Sequence, residues 1–229
     1  MVFQGALNAL NPLHRIGDQI AEPIILHKGI SENQAIEKVK HLMEQVGISS
    51  EKINSYPFEL SGGMKQRVMI SMALACDPKI VIADEPTTAL DVITAWRILD
   101  LIKNLQRQLN LSMILITHDL SVIAQLCDDV AIMYAGEIVE QGNVESIFET
   151  AIHPYTQMLI NSFTNIKNIK TRIEPIGGES PNLINPPSGC RFHPRCPNAM
   201  DICRKEKPDP IEVAKDHLVS CHITKRTLK

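Results

Sequence analysis

The chain has 229 residues, enough for one sizeable core with a small appendage. A hydrophobic share of 44%, a charged share of 21% and a net charge of −3 describe an ordinary globular protein and give no reason to expect nucleic acid as a partner. No apolar run approaches the ~18–20 residues that cross a bilayer, and the N-terminus lacks the basic and apolar regions of a signal peptide, so the default compartment is the cytoplasm.

Val2-Phe3-Gln4 reads as the tail of a strand that runs straight into a loop, with Asn11-Pro12 as a turn signal. Ser31 and Gln34 form a capping box, and Ile36, Val39, Leu42, Met43 and Val46 recur at helical spacing up to Gly47. After a polar loop with Pro57, LSGGMKQRVMISMALACDP is a Gly-rich turn opening a helix that stops before Pro78. KIVIADEP is a short continuous apolar strand ending in Asp84 and Glu85, the pattern of a buried parallel strand. TAWRILDLIKNLQRQL is an amphipathic helix, and SMILITHD a second buried strand ending at Thr117-His118-Asp119. One helix of crossover length between two such strands makes a right-handed βαβ unit. DDVAIMYAGEIVEQG gives two strands joined at Ala135-Gly136, and NVESIFETAIHPYTQMLINSF returns to helix. From about Lys167 the text turns to Pro175, Gly177-Gly178, Pro181 and Pro186-Pro187, then to cysteines. The expected organisation is an α/β domain over 1–165 and a Cys-bearing extension over 166–229.

Asp84 and Glu85 fall at the carboxyl end of a strand, where open α/β sheets bind ligands. In phosphoryl transfer one acid in such a place holds Mg²⁺ and its neighbour orients the attacking water; the plainer reading is two solvated acids. Ser61 with Gly62-Gly63 at a helix start suits an anion, or is simply an N-cap. His118 taken alone fits a structural role as well as a catalytic one.

In order along the chain, Gln4, Leu60 to Gly63, Asp84-Glu85, Asp91 and His118 form one series. This series resembles the nucleotide-binding subunit of ABC transporters: Q-loop, signature, Walker B, D-loop and switch histidine. The resemblance implies an ABC-type P-loop NTPase domain with a parallel sheet, in which two subunits close head-to-tail around two ATP. On that basis Asp84 would hold Mg²⁺, Glu85 would polarise the attacking water and His118 would contact the γ-phosphate. Gln4 would sense the metal, Asp91 would belong to the nucleotide site, and Ser61, Gly62 and Gly63 would reach the γ-phosphate held by the opposite subunit. Met64 stands where the commonest signature has Gln. The pattern G-x-x-x-x-G-K-[ST], whose backbone and Lys cradle the β- and γ-phosphates, does not occur in the sequence. The resemblance therefore implies a partial domain, truncated before Met1, that neither binds ATP well nor folds stably alone, with sheet edges left unpaired.

The final forty residues hold Cys190, Cys196, Cys203 and Cys221 at C-x5-C-x6-C-x17-C. Zinc sites more often include a close C-x2-4-C pair, and four thiolates also suit an iron–sulfur cluster, with Arg191, Arg195, Arg204 and Lys205 to offset its charge. INPPSGCRFHPRCPNAMDIC and HPYTQMLINS look like the C-terminal extension of the oligopeptide/dipeptide branch of ABC importers, which implies [4Fe-4S] ligation by the four cysteines. The same branch implies two membrane permease subunits, a second and different ATPase subunit, an extracellular substrate-binding protein acting indirectly, and a peripheral location on the cytoplasmic face of the membrane. The competing readings are a non-catalytic or regulatory remnant of such a subunit, and a soluble ABC-type ATPase. The latter lacks support, since no coiled coil or basic patch interrupts the core.

Overall fold

Val2 sits where the sequence puts the end of a strand: its N–H donates to the Ile82 carbonyl and its own carbonyl accepts from Asp84, a parallel bridge to Ala83. In this computed structural model, which describes residues 1–5, 9–164 and 177–224, the chain divides into two units, Met1–Val122 and Ile123–Lys229.

The first long helix of unit one is α1 (Ile16–Lys28), which the sequence reading leaves as loop and which has Pro23 in its middle. Proline inside a helix costs roughly 3 kcal/mol. Ile16, Ile20 and Ile24 fall on one stripe and are wholly buried, and at roughly 1.5–3 kcal/mol each their burial outweighs the proline. The helix ends at Gly29 in the left-handed conformation. The capping box predicted at Ser31 and Gln34 opens α2 (Glu32–Gln45), which buries Ala35, Val39, Leu42 and Met43. α3 (Gly62–Leu74) packs on both helices, and the Arg67 guanidinium donates to the Val46 carbonyl at the end of α2.

Strands β1 (Ile80–Asp84) and β2 (Ser112–Ile116) pair in parallel in the register Ile80 with Ser112 to Asp84 with Ile116, joined by α4 (Val92–Leu109). Ile98, Ile102 and Leu105 form the buried stripe of α4. β1 lies between Val2 and β2. Among the described residues β2 pairs with β1 alone, and its Ile114 and Ile116 are half exposed.

The division between the units falls within α5 (Leu120–Leu126). In unit two, β3 (Asp129–Tyr134) and β4 (Glu137–Asn143) form the predicted hairpin, with Ala135 and Gly136 at φ 50 and 81, the two positive values that a tight two-residue connection needs. The helix expected after it is two: α6 (Val144–Thr150), capped by Asn143, and α7 (Pro154–Thr164), because Pro154 cannot continue a helix and opens a new one. Two strands that the sequence reading does not assign, β5 (Ile211–Ala214) and β6 (His217–Val219), complete a sheet of order β3-β4-β6-β5.

The boundary expected at residue 165 is therefore not where the contacts divide the chain. β6 of the extension hydrogen-bonds to β4, and Phe192, wholly buried, meets the rings of Tyr134 and Tyr155 at 5.0 and 5.3 Å between centroids. A hairpin edge and an aromatic cluster are completed by the extension, so hairpin and extension share one core.

Candidate functional site

The carboxyl end of β1 gathers the polar groups that the sequence scatters over more than a hundred positions. Glu85 follows the strand with φ +42, a conformation unusual for a side-chain-bearing residue and costing on the order of 1 kcal/mol. It is held there by its own N–H, which donates to the Ile116 carbonyl at 2.8 Å and extends the β1–β2 ladder by one rung. Its carboxylate is shared three ways. Oε2 accepts from Gln4 Nε2 at 2.8 Å and from the Thr88 hydroxyl at 2.7 Å, while Oε1 lies 3.0 Å from His118 Nδ1. The Thr88 hydroxyl, then His118, hold the Glu85 carboxyl below its ordinary range against an opposing desolvation, with Gln4 adding a lesser contribution.

Three donors use three of the roughly four acceptor positions of a carboxylate, leaving room for one further hydrogen bond, such as that of a water. The Glu85 side chain is 23% exposed and His118 80%, so the group is fixed yet reachable. A depressed pKa makes Glu85 a carboxylate that stays ionised and orients a donor more readily than one that keeps a proton. Asp84, adjacent and still within β1, donates its N–H to the Val2 carbonyl. Two hard oxygen donors at one strand end fit Mg²⁺ chemistry, which takes one or two carboxylates beside substrate phosphates.

Ser61, Gly62 and Gly63 form the start of α3, as the sequence predicts. Ser61 Oγ accepts from the Met64 N–H at 3.4 Å and caps the helix. This start packs on the start of α4: a Cβ on Gly63 would lie 2.6 Å from the Thr94 methyl, and one on Gly62 would lie 3.5 Å from Leu90. Asp91 caps α4, its Oδ1 accepting from the Thr94 N–H at 2.9 Å, and the Thr94 contacts hold its carboxyl below the usual range. The structure thus brings together Gln4, Glu85 and His118 at one point and Gly62, Gly63 and Asp91 at another. Thr88 is the residue that sequence reasoning missed; its signal was a hydroxyl three residues after Glu85, the spacing that closes a turn (Thr88 N–H to Glu85 carbonyl, 3.2 Å).

In unit two, Cys203 and Cys221 are buried and Cys190 and Cys196 half-buried, all four as free thiols. They lie near enough to act on one another electrostatically, the Cys190 N–H donates to the Cys203 carbonyl at 2.9 Å, and the Met200 N–H reaches Cys203 Sγ at 3.4 Å. Burial pushes the Cys190 and Cys196 thiols up, and Cys221 up to about 11. Among the described residues, no three His, Cys, Asp or Glu side chains stand close enough together to hold a metal ion, so the cysteines are gathered but not arranged as a ligand set.

Residues 1–88 match the profile of the family described as ABC transporter, and residues 139–203 match that of the oligopeptide/dipeptide transporter, C-terminal region. The dipeptide transport ATP-binding protein DppD of Caldanaerobacter subterraneus subsp. tengcongensis is 44% identical over 97% of this chain and 69% of its own length. This chain belongs to the ABC transporter family. Among other ABC relatives, DppD of Bacillus subtilis is 45% identical over 96% of the chain and 67% of its own length, and the oligopeptide transport ATP-binding protein OppD of Salmonella typhimurium is 44% identical over 91% and 63%. The chain thus spans about two thirds of the length of these ABC relatives. A solved dimeric ATP-binding cassette in a post-hydrolysis state bound to ADP and Pi is 29% identical, with a TM-score of 0.55 over 62% of this chain and 61% of that one. The ABC-type fold is the P-loop NTPase class with its parallel sheet. Among the described residues, no helix is long and apolar enough to cross a membrane.

Proposed function

We propose that this chain is the energy-coupling, ATP-hydrolysing subunit of an ABC importer for short peptides, peripheral to the cytoplasmic face of the membrane, working with two permease subunits and a second, different ATPase subunit. The observation that carries it is the convergence of Gln4, Thr88 and His118 on the single carboxylate of Glu85 at the end of β1. Asp84 would hold Mg²⁺ together with the nucleotide phosphates, and the metal would neutralise charge on the transferring phosphoryl group. Glu85 would orient the attacking water, with its position fixed by Gln4 and Thr88. His118 would hold the proton at Nδ1 toward Glu85 or turn its exposed ring to the γ-phosphate. Ser61, Gly62 and Gly63 would meet the nucleotide bound by the partner subunit, Gly63 being bare because Thr94 fills the space a side chain would need.

The phosphate-loop pattern absent from the sequence supplies most of the grip on β- and γ-phosphates, so the chain alone is expected to be inactive. The test is Mg-ATPase activity of the chain alone and co-expressed with a phosphate-loop-bearing ATPase partner and the permease pair, each with and without Glu85→Gln. Turnover that needs the partner and collapses in the variant supports the reading. Turnover indifferent to Glu85→Gln removes Glu85 from the chemistry, and micromolar Mg-ATP affinity of the lone chain removes the expectation of inactivity.

The four cysteines, drawn together, would suit a [4Fe-4S] centre of structural or regulatory use: four soft donors, a backbone N–H already on one sulfur, and neighbouring arginines. Burial favours their protonated form, so a bound cation would have to drive ionisation. Anaerobic purification with iron and sulfide analysis tests this; stoichiometric zinc without iron overturns it.

A further inference from the structure

The β3–β4 hairpin carries a feature that the Glu85 site does not use. Met133 and Ile138 are direct cross-strand partners, yet 59% and 47% exposed. They line a cleft of about 540 Å³, all within unit two, whose wall also includes the apolar Phe192, Pro208, Pro210 and Leu218 and the polar Gln141 and Ser220. That volume falls among small-molecule sites, roughly 300–1,000 Å³, and the mixture of apolar walls with a few convergent charges is their usual make-up.

The charges that reach its surface are Arg191, Lys207 and Glu137; Glu140, also in its wall, is wholly buried and takes its hydrogen bonds from the Ile152 and His153 N–H groups and from His217. Arg191 Nε and Lys207 Nζ both reach Glu137 Oε1, at 3.0 and 2.9 Å, so two cations share one carboxylate oxygen and one positive charge is left over. Arg191 Nη1 also donates to the Ala135 carbonyl at 2.5 Å, which fixes the guanidinium against the hairpin turn. Lys207 is the freer of the two: its side chain is 65% exposed, and an ammonium has three donors. With Glu140 buried and hydrogen-bonded within the fold, the exposed face of the cleft presents one partly fixed positive charge beyond what Glu137 takes up, which is complementary to a ligand with an aliphatic body and a single carboxylate.

We propose that this cleft is a binding site for small apolar carboxylates, with Lys207 and Arg191 taking the carboxylate and Met133, Ile138 and Leu218 the aliphatic body. The proposal rests on the chemistry of the cleft and not on the nucleotide reading. The test is isothermal titration calorimetry of the full chain with N-acetyl-leucyl-leucine and with its C-terminal amide. The acid binds at one site, and the amide binds about tenfold more weakly or not at all, as expected for loss of one charge-assisted contact. Lys207→Gln and Ile138→Ser, both at exposed positions and checked for folding by circular dichroism, each weaken the acid by about tenfold. Equal affinity for acid and amide overturns the proposal, as does an affinity unchanged in both variants, or no heat up to about 5 mM acid. The acid–amide comparison uses the unaltered chain, so it stands whatever the variants do to folding.

Discussion

The two units each contain a carboxylate that collects several hydrogen bonds, one of them from a histidine, and the two differ in where the carboxylate stands. Glu85 in unit one is at a strand end, a quarter exposed, with Gln4, Thr88 and a largely exposed His118 around it. Glu140 in unit two is in mid-sheet and wholly buried. Its Oε1 accepts from the Ile152 N–H at 2.8 Å and lies 2.9 Å from His217 Nε2, and its Oε2 accepts from the His153 N–H at 3.0 Å. Similar chemistry therefore serves two ends. The open carboxylate has an acceptor position left, whereas the closed one ties β4, β6 and the start of α7 together. Accessibility, more than the list of partners, separates the carboxylate proposed to orient a reactant from the one that holds the sheet together.

The sharpest way to break this comparison is to remove each carboxylate. Glu85→Gln keeps the shape and is expected to lower assembled ATP turnover by about 10²–10⁴-fold, the usual worth of a positioned acid–base group, with the fold unchanged by circular dichroism. Glu140→Ala is expected to leave the Glu85 chemistry alone and to destabilise unit two by about 3–5 kcal/mol, the cost of stranding the partner of a buried pair. Urea unfolding followed through the Tyr134–Tyr155–Phe192 cluster measures it. Recovery of most of the loss in Glu140→Leu with His217→Leu would mark the pair as dispensable for packing; no loss in Glu140→Ala would break the comparison.

A third effect is smaller and depends on pH. Burial pushes His153 down to about 4, with the Glu140 charge partly opposing. The unfolded chain takes up a proton near pH 6.5 while the folded chain resists until about pH 4, so stability is expected to fall as pH drops through that window, by at most about 3 kcal/mol. Urea midpoints from pH 7 down to 4 give the slope, and His153→Gln should flatten it. The smallest effect is at Thr88. Its hydroxyl is the leading cause of the lowered Glu85 pKa, which keeps that carboxylate ionised until pH falls below the ordinary carboxylate range. Thr88→Val is expected to shift the acid limb of the pH–rate profile upward and to cost a few-fold in rate, about 1 kcal/mol.

Much of unit one was legible because its signals are local. The capping box at Ser31, the apolar run into Asp84-Glu85 and the Gly pair after Ser61 each carry their meaning within a few residues. α1 was not legible, since Pro23 breaks the local rule and only the burial of three isoleucines by distant helices overrides it. Strands β5 and β6 were hidden for a related reason. IEVA and HLV are too short to show a period, and β6 exists because the β4 edge, a remote partner, receives it. The convergence on Glu85 was legible as motifs in order, but Thr88 was not, because a hydroxyl in a turn becomes informative only when the turn's closure is seen.

The shared sheet of the hairpin and the extension bears on chimera design. An exchange of C-terminal regions between relatives that joins the chains near residue 165 would part β4 from β6 and leave Glu140 facing a foreign strand. A junction at Ile123 moves hairpin, aromatic cluster and cysteines as one module, and is the splice at which a swapped extension should keep its core.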